Sequence, residues 1–73
     1  MLSARFDMLS SREREVMLHI VAGRLNKQIA NDIGLAEGTV KVHRTHLMRK
    51  MEARTFPELC RMADILNMKP QQP

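Results

Sequence analysis

Residues 26–47 are NKQIANDIGLAEGTVKVHRTHL, and within them Ala30, Gly34 and Val40 stand four and then six residues apart. A small residue lets two helices cross closely, and a glycine accepts the positive φ of a tight turn. A branched apolar residue anchors the second helix in a core. This combination predicts a helix-turn-helix.

The flanks of this motif carry helix signals and lack strand signals. Apolar residues recur at steps of three and four, and alternating Val, Ile and Thr segments are missing. Ser10 with Glu13, and Thr55 with Glu58, form capping-box patterns, each of which begins a helix. The sequence therefore predicts an all-α domain, a four-helix bundle with a central helix-turn-helix.

Stops and caps set the expected helix boundaries. Gly23 is expected to end the first helix in a left-handed turn, and Asn26 to cap the second. The third runs from about Glu37 to Glu52. We expect the domain to span residues 8–68, with a disordered proline- and glutamine-containing tail at 69–73.

Composition narrows the class of partner. A chain of 73 residues forms one small domain, and its net charge of +4 favours a polyanion. Trp and Tyr are absent, which removes the aromatic stacking that single-strand binders use and favours double-stranded DNA. No apolar run approaches the roughly 18 residues of a membrane span. We expect a cytoplasmic protein without a membrane segment.

Metal, disulfide and catalytic sites are not expected. The lone Cys60 has no partner, and the three histidines lack zinc-finger spacing. No carboxylate pair, nucleophile beside a base or phosphate-binding glycine loop is present. The sequence predicts no catalytic residues, no metal and no cofactor, so the protein is not expected to be an enzyme.

One face of the third predicted helix carries base-contacting chemistry. Gly38 permits close approach, and Lys41 can donate to guanine O6 or N7. Val42 and Thr45 can contact thymine methyl groups. A solvated cationic face is the alternative interpretation.

Phosphate contacts are expected around that face. Arg44, Arg49 and Lys50 lie further along the helix or on its flank, where contact with the DNA backbone is favoured over base contact. Asn26 and Lys27 begin the second helix, whose N-terminal amides can hold a phosphate. Alternatively, Asn26 is only a cap and Lys27 is solvated.

Several separated motifs together resemble one family. LSSREREV at 9–16, Gly23, NKQIA at 26–30 and GTVKVHR at 38–44 are similar to the LuxR/FixJ/NarL DNA-binding domains. The likeness covers about residues 8–68 and is strongest to the output domains of FixJ-type response regulators. It implies a transcription regulator whose third helix contacts the major groove and whose fourth helix forms a homodimer.

The resemblance also assigns residues. It places Lys41, Val42 and Thr45 at the base-contacting positions. The residues that it places near the DNA backbone are Asn26, Lys27, Thr39, His43 and Arg49. Ala36 departs from the family, which often has a capping serine or threonine there, and the lost bond costs about 1 kcal/mol. Thr45 departs where some relatives carry a cation, so their target sequences do not transfer.

The fourth predicted helix has one core face and one outward face. Leu59, Ala63 and Leu66 are expected to face the core. The expected dimer residues are Pro57, Cys60, Arg61, Asp64 and Ile65. A weak two-fold dimer there would bind an inverted-repeat operator. RNA polymerase is a candidate further partner.

Two other functions remain open. A sigma-factor-like promoter recognition region shares the GTVK start at 38–41, although the fourth capped helix argues against it. A helical protein-interaction module would use the basic face on an acidic partner. LuxR-type domains normally follow a receiver or ligand-binding domain, which is lacking here. We therefore expect a fragment whose residues 1–7 are a linker remnant.

Overall fold

A computed structural model describes residues 1–68, and the tail expected at 69–73 lies outside the described residues. Across residues 1–68 the chain forms five helices and no strand. The helices are α1 (Leu2–Asp7), α2 (Ser11–Val21), α3 (Asn26–Ile33), α4 (Glu37–Met51) and α5 (Phe56–Ile65). The all-α prediction is confirmed, and α2 to α5 are the four predicted helices.

The helix-turn-helix comprises α3, its turn and α4. Gly34 ends α3 with φ 71°, the left-handed conformation that a glycine takes without strain. Leu35 then donates its backbone N–H to the Ala30 carbonyl at 3.0 Å, which closes the turn. Ala30 and Val40 are both buried, as the spacing predicted.

The predicted N-cap of α2 is confirmed, and that of α3 is wrong. The Ser10 capping box is confirmed: Glu13 N–H donates to Ser10 Oγ at 3.1 Å, and Ser10 N–H donates to Glu13 Oε1 at 2.9 Å. The expectation that Asn26 caps α3 is wrong, because Leu25 is the N-cap and Asn26 is the first helical residue. Gln28 accepts from Leu25 N–H at 2.9 Å in place of a capping side chain.

The second predicted capping box is only half formed. Thr55 Oγ1 accepts from Glu58 N–H at 3.2 Å, as expected. The Glu58 carboxylate, however, accepts from Arg54 N–H at 3.2 Å and not from the N–H of Thr55. The start of α5 is thus fixed by one cap bond and one bond to the preceding residue.

The core lies around α4, which contacts α1, α2 and α3, while α5 packs against α2. The largest fully buried side chains are Val16, Met17, Ile20, Ile29, Val40, Leu47, Met51 and Leu59. Burying a side chain of this size stabilises the fold by about 1.5–3 kcal/mol. Three of these eight residues belong to α4, so one side of that helix packs in the core. The opposite side of α4 is not part of the core.

The N-terminal segment forms a helix that the sequence did not predict. Arg5 Nη1 in α1 donates to the Met51 carbonyl at 3.3 Å, and Arg5 Nε lies 3.2 Å from Glu52 Oε2. The Phe6 ring lies 4.8 Å beneath the Arg14 guanidinium of α2. These contacts attach α1 to the C-terminal end of α4 and to the start of α2.

Candidate nucleic-acid interface

The N-terminal end of α4 is open to a partner. Ala36 is its N-cap and makes no side-chain cap bond, as expected from the missing serine or threonine. Gly38 is exposed in the first turn, and a Cβ placed there would meet no heavy atom within 4 Å. Nothing inside the described part of the domain therefore requires a glycine at this position.

The three predicted base-contacting residues lie next to this opening. Lys41, Val42 and Thr45 are all exposed, and the apolar Val42 is 52% exposed. Thr45 Oγ1 donates to the Lys41 carbonyl at 3.0 Å, so the hydroxyl oxygen keeps its accepting capacity. Lys41 Nζ lies 3.9 Å from Glu37 Oε2, a loose, solvated pair that leaves the ammonium available.

The predicted backbone-contacting residues divide by their surroundings. Lys27, Thr39 and Arg49 are exposed, and within residues 1–68 neither Lys27 nor Arg49 forms a salt bridge. Arg44 is half-buried and donates from Nη1 to Asn26 Oδ1 at 3.3 Å. That bond ties the start of α3 to the middle of α4.

Two of the three histidines lie on α4. His43 is half-buried, one helical turn from the buried residues Val40 and Leu47. His46 lies further along the helix and is exposed, with Nδ1 3.9 Å from Glu13 Oε2. The described residues contain no group of His, Cys, Asp or Glu side chains able to hold a metal ion.

Lys50 has a partner that the sequence did not predict. Its Nζ donates to Glu13 Oε1 at 2.8 Å, and the Glu13 side chain is only 5% exposed. Burial alone raises the pKa of the Glu13 carboxyl, but hydrogen bonds from Lys50 and Ser10 outweigh it and lower the pKa below its ordinary 4.5. The capping pattern identified Glu13, but a contact across 37 residues leaves no local sequence signal.

The outward face of α5 lies beside an open groove. Pro57, Arg61, Asp64 and Ile65 are exposed and Cys60 is half-buried, while Leu59 and Ala63 are in the core. The groove, of about 280 Å³, is lined by Leu2, Arg5, Glu58, Arg61, Met62 and Ile65. Ile65 is 69% exposed at its edge, so an apolar surface is available at the predicted dimer face.

Comparison with known proteins identifies the family of this helix-turn-helix domain. The model of the family "Bacterial regulatory proteins, luxR family" matches residues 7–63. The chain is 46% identical over 67 residues to nodulation protein W of Bradyrhizobium diazoefficiens, covering 92% of this chain and 30% of that protein. It is 50% identical over 60 residues to the transcriptional regulatory protein FixJ of Rhizobium meliloti, covering 82% of this chain and 29% of that protein.

A solved structure of the response regulator StyR matches with a TM-score of 0.86 and 39% identity, covering 88% of this chain and 32% of that one. The chain thus spans about a third of the length of these proteins. In the described part of the chain, no helix is both long enough and apolar enough to cross a membrane. The family consists of DNA-binding regulators and not of enzymes, as the sequence predicted. The chain belongs to the luxR family of bacterial regulatory proteins, as a helix-turn-helix domain for DNA-binding transcription regulation.

Proposed function

We propose that the chain binds double-stranded DNA sequence-specifically as the output domain of a cytoplasmic response regulator, with α4 in the major groove. The exposed cluster of Lys41, Val42 and Thr45 beside Gly38 carries this proposal. It combines a donor, an apolar contact and a hydroxyl on one open helix surface, the chemistry that distinguishes base pairs in the major groove. RNA polymerase is the proposed further partner during transcription.

The flanking residues would fix the position of α4 on the duplex. Lys27, Thr39 and Arg49 have exposed side chains for phosphate contact. Arg44 has donors left after its bond to Asn26, since a guanidinium carries five N–H groups. His43 and Asn26, both half-buried, would contribute at the edge of the same surface.

In vitro selection from a random duplex library tests the function directly. The 73-residue chain should enrich one sequence at near-physiological salt. An inverted repeat among the enriched duplexes would supply the operator and support a dimer. If neither the chain nor a covalently tethered pair enriched any sequence, specific DNA recognition would be rejected.

Lys27→Ala is expected to weaken all duplexes alike. Loss of one phosphate contact should reduce the slope of log affinity against log salt by about 0.9, with no change in sequence preference. Fluorescence anisotropy over a salt series measures this slope. An unchanged slope would place Lys27 away from the phosphates and leave only its solvated role.

Gly38→Ala should separate folding from binding. Because a Cβ at Gly38 meets nothing within 4 Å, alanine should raise the free energy of unfolding by about 0.5 kcal/mol. Affinity for the selected duplex should fall, since the added methyl group occupies the space where α4 approaches the bases. A variant both more stable and equally tight in binding would show that the groove does not come close to Gly38.

We further propose that α5 forms a weak two-fold dimer through Pro57, Cys60, Arg61, Asp64 and Ile65. The exposed Ile65 at the edge of an apolar groove supports this surface. Ile65→Glu should therefore reduce two-to-one complexes on a duplex with two half-sites, as measured by sedimentation. Affinity for a single half-site should stay unchanged. Purely monomeric binding by the unmodified chain on the longer duplex would exclude this geometry.

A further inference from the structure

Glu13 is the one charged residue among residues 1–68 that is buried. Its carboxylate joins two helices: Oε1 accepts from Ser10 N–H at the start of α2 and from Lys50 Nζ in the last turn of α4. His46, one helical turn before Lys50, faces the second oxygen at 3.9 Å. The C-terminal half of α4 is thus attached to α2 by a hydrogen-bonded ion pair.

This pairing decides what Lys50 can do on DNA. If Lys50 left Glu13 to reach a phosphate, the Glu13 carboxylate would stay buried without its counter-charge, which is strongly unfavourable. While it stays, the pair carries no net charge, and a neutral pair displaces no counterion from DNA. Arg49, its neighbour in sequence, is exposed and has no salt bridge within the described residues, so its charge is available.

We propose that Lys50 is a positioning residue, which holds α4 in its rotation against α2 through Glu13, and that it is not a phosphate contact. This inference rests on the proposed DNA-binding function. Apolar contacts such as that of Leu47 hold α4 in the core but are non-directional. The Lys50–Glu13 bond is directional and holds one side of the last turn of α4 against α2. It therefore fixes the rotation of α4 about its axis and, with it, the direction in which Lys41 faces outward.

The experiment measures two quantities on each variant: the salt slope on a mixed-sequence duplex, and the ratio of affinities for the selected and mixed-sequence duplexes. Glu13→Gln with Lys50→Met removes both charges and retains the acceptor for Ser10 N–H. Its salt slope should match that of the unmodified chain. Arg49→Met, the matched control, should lower the slope by about 0.9.

The affinity ratio tests positioning. It should fall on the order of fivefold in the double variant, the low end of what one base contact contributes. The single variant Lys50→Arg, which keeps a cation for Glu13, should keep the ratio of the unmodified chain. Circular dichroism confirms that each variant is folded. An unchanged ratio in the folded double variant would show that the pair is only structural and would overturn positioning.

Glu13→Gln alone provides an independent check. It frees the charge of Lys50, whose side chain is 36% exposed, so the slope should become steeper by up to about 0.9. A shallower slope in the double variant would show that Lys50 already contacts phosphate and would overturn the inference. Failure of both the unmodified chain and the tethered pair to bind any duplex would instead reject the proposed function.

Discussion

Lys50→Met is expected to lower the free energy of unfolding by about 2–3 kcal/mol, a large fraction of the stability of a small domain. The loss arises because Glu13 stays buried without its cation. Its carboxylate still accepts the hydrogen bond from Ser10 N–H, but the positive charge of Lys50 is gone. A fully buried pair would lose about 3–5 kcal/mol, but Lys50 is 36% exposed and solvent screens part of the effect. Urea unfolding at neutral pH measures the change.

The Glu13→Gln, Lys50→Met double variant is the matched control for this loss. With both charges of the Lys50–Glu13 pair removed and only His46 left beside the site, its stability should recover most of the difference, so the two substitutions should be strongly non-additive. Methionine and lysine have similar helix propensities, so α4 itself should not account for the change. A double variant as unstable as Lys50→Met would show that the lysine stem, and not the charge pair, carries the energy.

The pH dependence of stability gives the pair an independent signature. The pKa of Glu13 is lowered in the folded state, so its contribution is fully present above about pH 4.5 and is lost as pH falls through the folded value. In Lys50→Met the lowering by Lys50 is gone, while burial, which raises the pKa, and the Ser10 hydrogen bonds, which lower it, remain, so the folded pKa of Glu13 is higher than in the unmodified protein. The gap in stability between the two proteins should therefore narrow below about pH 4.5. A constant gap would argue against an ionic origin.

Local spacing was enough to predict the helix-turn-helix, because its determinants are close in sequence. Ala30, Gly34 and Val40 act through one crossing and one turn, and each lies where the spacing predicts. The cap of α3 was mispredicted for a similar local reason. Asn26 is a strong cap residue, but Gln28 bonds to Leu25 N–H and moves the helix start one residue earlier.

Contacts between distant residues were not predictable from the sequence. The short helix α1 has no side-chain cap and depends on Arg5, which reaches Met51 and Glu52 across the domain. The sequence predicted a DNA-backbone contact for Lys50 and did not reveal its ion pair, because its partner Glu13 lies 37 residues away. Exposure at Val42 and Thr45 followed from helical periodicity alone, since α4 buries a single stripe. The base contacts of these residues stay predictions.

Lys41→Ala is expected to weaken binding of the selected duplex by about 1–3 kcal/mol, or roughly 5- to 150-fold. The side chain is exposed on the first turns of α4, where its ammonium can donate to guanine O6 and N7. Its pairing with Glu37 at 3.9 Å is loose and solvated, so the substitution should change the free energy of unfolding by less than about 0.5 kcal/mol. Competition anisotropy against labelled duplex measures the affinity.

The control for Lys41→Ala is Arg12→Ala, which removes the same charge from an exposed residue of α2, outside the motif. Arg12→Ala should leave the preference for the selected duplex intact. Lys41→Ala should lose much more affinity for the selected duplex than for a mixed-sequence one, because a base contact contributes only where its base is present. Equal losses on both duplexes would assign Lys41 to the phosphate backbone and leave Val42 and Thr45 as the base-contacting residues.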